Sequence, residues 1–86
     1  MNIDQALKVA RSQVKNPAAR SYLAAIPEAI ELGGMWAFES QIRYVRCNLG
    51  TWRGESAREC KKVIDAWLKE RRRIRIAEKE KECQYA

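Results

Sequence analysis

Three arginines, two large aromatic side chains and two glycines fall within the twelve residues from Arg43 to Gly54, RYVRCNLGTWRG. Guanidinium groups offer planar arrays of donors to phosphate, and aromatic faces beside them can stack bases. The same stretch holds a helix-stop signal at Asn48-Leu49-Gly50, so it reads as the corner of a helical hairpin, the edge of an anion-binding surface, or both. Basic residues continue beyond it. At helical spacing Arg58, Lys62, Lys69 and Arg73 share one stripe, opposite the apolar positions of the same segment. Arg58/Lys62 and Lys69/Arg73 are like-charge pairs four residues apart, each costing a few tenths of a kcal/mol in an isolated helix. Phosphate binding offsets such repulsion, whereas a solvated helix face merely tolerates it. With the neighbouring run included, the candidate nucleic-acid contacts are Arg43, Arg46, Arg53, Arg58, Lys62, Lys69, Arg71, Arg72 and Arg73.

Other chemistries find little support. The chain has no histidine, so a general base would have to be a carboxylate or lysine of shifted pKa, or an activated cysteine. Cys47 and Cys60 lie on or beside apolar stripes and read as small packed residues, with Cys83 a free thiol near the end of the sequence. Three cysteines without C-x-x-C spacing supply neither a disulfide framework nor the four ligands of a zinc site. The glycines at 33, 34, 50 and 54 match no phosphate-cradling loop. No enzyme activity, cofactor or metal is expected.

A helix-turn-helix reader of base edges needs a small residue four before its turn glycine and an apolar residue six after it. With Gly50 as that glycine the positions hold Arg46 and Ser56, which fails; Gly54 gives Gly50 and Cys60, which is permissible but weak. Contact with phosphates regardless of sequence stays open. Trp36 and Trp67 fit helical periodicity and read as core. Trp52 reads as a plug in the corner, its indole N–H reaching a backbone carbonyl, with base stacking as the alternative use.

The elements that must position these residues are helices. Eighty-six residues make one domain, and two prolines and four glycines among abundant Ala, Leu, Glu, Lys and Arg favour helix over sheet. Residues 43 to 75 carry eleven basic and four acidic side chains, more than the whole net charge of +6, and such asymmetry favours a polyanionic partner. No apolar run is long enough for a membrane span, and the first residues lack a secretory stretch, so a soluble cytoplasmic protein is expected.

Asn2 with Gln5 forms a capping box for the first helix, and Asn16-Pro17 ends it and starts the second. Pro27 either kinks the second helix or starts a short separate turn to Leu32, and Gly33-Gly34 closes the segment. The third helix, roughly Met35 to Leu49, carries one apolar stripe (Met35, Phe38, Ile42, Val45, Leu49) and a second of Trp36, Tyr44 and Cys47, with Glu39, Arg43 and Arg46 on a narrow polar face. Apolar on two sides, it belongs at the centre, and Gly50 closes it in left-handed conformation. Ser56 with Glu59 caps the fourth helix. Its apolar stripe passes to Arg71 and Arg75 after Leu68, so a packed core over about residues 2–68 gives way to a charged helical extension over 69–86, within a single helical domain 1–86. The expected fold is all-α: a compact antiparallel four-helix arrangement with a central third helix and a long, projecting C-terminal helix.

The pattern Tyr44-x-x-x-Asn48-Leu49-x-x-Trp52-Arg53-Gly54-x-x-Ala57-Arg58, followed by Lys61, resembles one found in small helical proteins of phages, prophages and archaeal elements. The match spans roughly a fifth of the chain and implies a mobile-element origin, with no activity and no functional residues attached. The residues themselves point to a non-enzymatic accessory protein that contacts nucleic acid phosphates. The alternative is a protein-interaction module, dimerising or binding a partner through the long fourth helix and a patch around Trp52. Ile74 and Ile76 are stranded in the basic tail unless it packs on something.

Overall fold

The computed structural model describes the backbone of residues 1–85 and the side chains of residues 1–79; Cys83 lies outside the described side chains. Four helices follow one another: α1 (Ile3–Gln13), α2 (Pro17–Ala24), α3 (Ile26–Cys47) and α4 (Glu55–Tyr85). The first two begin as their sequences dictate. Asn2 and Gln5 exchange side-chain-to-backbone hydrogen bonds of 2.9 Å in a complete capping box. Asn16 accepts from the Ala18 and Ala19 N–H groups at 2.9 and 3.1 Å, with Pro17 in the first turn, where a missing N–H costs nothing.

Pro27 resolves as a new helix. The chain breaks at Ala25, and Pro27 sits in the first turn of α3. Because proline has no N–H to give the Leu23 carbonyl, that oxygen accepts instead from Arg11 Nη2 at 3.2 Å. The Tyr22 carbonyl, freed by the same break, accepts from Gln41 Nε2 at 2.9 Å. Side chains from α1 and α3 thus replace the bonds that the break removes, and they lock α2 between its neighbours. Within α3 the helix bends at Gly34, whose φ of 63° and ψ of −147° suit only glycine, so segments 26–33 and 35–47 point differently.

The core comprises Ala6, Leu7, Ala10 and Val14 of the first helix and its end, Ala19 and Leu23 of α2, Ile26, Phe38, Ile42 and Val45 of α3, then Leu49, Cys60 and Ile64. The packed pairs are α1 with α2, α2 with α3, α3 with α4, and α4 back onto α1. α3 therefore lies between α2 and α4, and α1 closes the bundle. The expected all-α bundle forms, measuring 48 × 27 × 19 Å along its principal axes.

Four local expectations are corrected. α3 ends at Cys47, where the Asn48 side chain donates to the Tyr44 carbonyl at 2.8 Å; Gly50 is not left-handed, and the positive φ near this corner belongs to Gly54, at 116°. The N-terminus of α4 is closed by Arg58 N–H donating to the Gly54 carbonyl at 3.0 Å, which places Ser56 inside the helix, where it cannot cap. The second stripe of α3 is not packed. Trp36 is 71% exposed, Tyr44 is exposed apart from a stack on Tyr22 at 5.4 Å between centroids, and Cys47 is exposed. Helical periodicity records that two faces are apolar and is silent on whether a neighbour exists for each.

Candidate nucleic-acid interface

The basic candidates divide into two groups according to the acids that α3 and α4 bring to them. Glu39 is the pivot. It sits on the face of α3 turned to α4, and its side chain is 2% exposed. Its Oε2 accepts from Arg43 Nη2 at 2.6 Å, one turn along the same helix, and Arg75 Nε lies 3.2 Å from that oxygen. Its Oε1 accepts from Arg71 Nε at 3.3 Å. Burial of a carboxylate is costly unless it is paired, and three guanidinium groups meet that need. Further along the interface Arg46 grips Asp65 with two bonds, Nε to Oδ1 at 2.7 Å and Nη2 to Oδ2 at 3.1 Å. Those hydrogen bonds raise the Arg46 pKa further above its already high value, against a smaller opposing effect of burial. Arg73 reaches Glu70 at 3.5 Å on the open surface, a contact of little energetic weight.

The order of these contacts also decides the helix-turn-helix question. Asp65 meets Arg46, and Arg71 and Arg75 meet Glu39, so α3 and α4 run antiparallel side by side for two turns. A helix-turn-helix pair crosses at a wide angle.

The second group comprises Arg53, Arg58, Lys62, Lys69 and Arg72, all exposed and with no carboxylate oxygen within 4 Å among the described side chains. Arg53 and Arg58 flank a cleft of about 360 Å³ at the corner, lined also by Gly50, Trp52, Gly54, Ala57 and Lys61. Lys61 Nζ donates to the Trp52 carbonyl at 2.6 Å, so the corner's polar bond is made by the tryptophan backbone rather than the expected indole N–H. Trp52 itself is half-buried and packs against the core, as does Trp67, which meets Phe38 edge-on at 5.3 Å. Lys62, Lys69 and Arg73 then follow along the outer face of α4.

Sequence reasoning missed Glu39 as an organising residue, Arg75 as its ligand, and Trp36 as an exposed aromatic. The replacement of the apolar stripe by Arg71 and Arg75 marks where the core ends; a single acid at the facing position of α3 is the signal that these arginines still face inward. Burial pushes the Cys60 thiol above its ordinary pKa, and its Sγ lies 3.8 Å from Met1 Sδ. Among the described residues no three His, Cys, Asp or Glu side chains gather to hold a metal ion, and no helix is long and apolar enough to cross a membrane.

A separate surface is apolar. Ile30, Leu32 and Met35 are exposed around the Gly34 bend, with Leu32 82% exposed. Ile30 and Met35 line a groove of about 590 Å³ whose other walls include Ile3, Leu7, Lys8, Arg11, Phe38 and Trp67. In comparisons with protein-family models, curated proteins and solved structures, the chain matches none.

Proposed function

We propose that this is a non-enzymatic accessory protein that holds nucleic acid by its phosphates, acting in the cytoplasm and derived from a phage, prophage or archaeal mobile element. The observation that carries the binding function is the run of exposed cations Arg53, Arg58, Lys62, Lys69 and Arg72, left without carboxylate partners while the fold pairs Arg43, Arg46 and Arg71. From residue 58 to 73 the stripe covers roughly 22 Å of helix at 1.5 Å per residue. With phosphates about 3.4 Å apart along one strand of a duplex, that length faces several of them. The mobile-element origin rests on the Tyr44 to Lys61 pattern. Titration of a labelled oligonucleotide followed by fluorescence anisotropy tests the binding. Five neutralised phosphates give a slope of log K against log salt of about −4.5, or a loss of about 500-fold between 50 and 200 mM salt. Absence of binding at 50 mM salt would sink the proposal.

One observation favours a second reading, a protein-interaction module. The apolar side chains around Gly34 are exposed beside a groove, whereas Trp52 is packed, so the docking surface in this reading moves from the α3–α4 corner to the bend in α3. A dimer by light scattering that dissociates on Leu32→Lys substitution supports it, and a monomer at all concentrations counts against a second copy as the partner.

A further inference from the structure

Three guanidinium groups converge on the buried carboxylate of Glu39, where a single bidentate arginine would neutralise it. The cluster is left with two positive charges in excess. Each arginine spends one nitrogen on Glu39 and keeps its other N–H donors, and the side chains of Arg43 and Arg75 remain 44% and 39% exposed. Arg75 Nε is buried without a well-aimed hydrogen bond, so the ion pair holds that guanidinium in place without satisfying it. Trp36 stands on the same face of α3, one turn before Glu39 and two before Arg43, with its ring open to solvent and outside the apolar groove that Met35 lines.

We propose that Trp36, Arg43, Arg71 and Arg75 form a site for single-stranded nucleic acid, in which the indole stacks on a base and the guanidinium groups aligned by Glu39 take the adjoining phosphates. This rests on the phosphate-binding function above and assigns it a strand type and a second anchoring point. An exposed indole finds a base face only where bases are not already stacked in a duplex. Guanidinium groups already held by a buried acid lose little freedom on binding, which favours affinity. Arg71 joins this site to Lys69 and Arg72 on the outer face of α4, so one strand can pass from one surface to the other.

The test compares a labelled oligo(dT) single strand with a duplex of equal length, by fluorescence anisotropy over a salt series, with thermal melting by circular dichroism as a separate readout. Trp36→Ala, at an exposed position, is expected to weaken single-strand binding about tenfold or more and to leave the duplex within about twofold. Arg43→Gln/Arg75→Gln is expected to reduce the single-strand salt slope by about 1.4, and the remote exposed Arg20→Gln to change it by less. If Trp36→Ala and the arginine pair bind like Arg20→Gln while Arg58→Gln/Lys62→Gln/Lys69→Gln loses affinity, the site is overturned and the phosphate-binding function stands. A lowered melting temperature with unchanged affinity in the arginine pair makes the cluster purely structural and overturns the site too. If the unaltered protein binds neither oligonucleotide at low salt, both fall.

Discussion

Glu39 is the residue on which the α3–α4 interface turns, because its removal strands three arginines against one another. Glu39→Ala is expected to cost about 3 kcal/mol of stability, measured by urea denaturation, since breaking a buried ion pair leaves uncompensated charge. Arg46→Gln should cost less, because its partner Asp65 is more than half exposed. The two glycines before Met35 act differently from each other. A methyl group at Gly33 would lie 2.6 Å from the Ala37 Cβ, a steric conflict across the Gly34 bend. One at Gly34 meets open space but an unfavourable backbone, so Gly34→Ala is expected to cost about 2 kcal/mol with no change in packing. The two described cysteines separate by accessibility. Native protein treated with iodoacetamide is expected to be modified at exposed Cys47 before Cys60, which is buried, has its thiol pushed above its ordinary pKa by that burial, and reacts only on unfolding.

At the scale of elements, α2 is a short helix that depends on its ends. Asn16→Ala removes two capping bonds and is expected to lower stability by about 1 kcal/mol, and Arg11→Ala, which uncovers the Leu23 carbonyl, by a similar amount in the same assay. These ends also mark how far sequence reasoning reaches. Asn2, Asn16 and Pro17 announce helix starts because capping is a local interaction between residues two or three apart. Pro27 announces a break for the same reason. Arg11 and Gln41 as the side chains that mend that break were not legible, since their partners lie 12 and 19 residues away. The α3–α4 corner failed locally for another reason: both Gly50 and Gly54 are permissive, and the residues beside them do not say which one takes the positive φ that Gly54 adopts. Trp36 illustrates the limit most clearly. Its spacing suits a buried stripe, yet its ring stands open to solvent. The nine basic candidates were visible as a group; the pairing of Arg46 and Arg71 depends on Asp65 and Glu39, which only the folded interface brings to them.

At the scale of the whole molecule, the two surfaces are chemically separate: a cationic face along α4 and an apolar bend in α3, with Trp36 between the apolar bend and the Glu39 cluster. Their contributions are expected to respond oppositely to salt. Oligonucleotide binding should weaken steeply as salt rises, and any self-association through Leu32 and Met35 should persist or strengthen, as sedimentation over the same salt series would reveal. The return of α4 onto α1 has a consequence of its own for how the protein folds. Met1 lies beside Cys60, 59 residues along the chain, and α1 packs mainly on α4, with a smaller contact to α2. The α2–α3 pair, close in sequence, can dock early at little cost in loop closure. α1 keeps much of its apolar face of Ala6, Leu7 and Ala10 uncovered until the segment around Ala57 to Ile64 docks. In pulse-labelled refolding the α1 amides should therefore gain protection after those of α2 and α3.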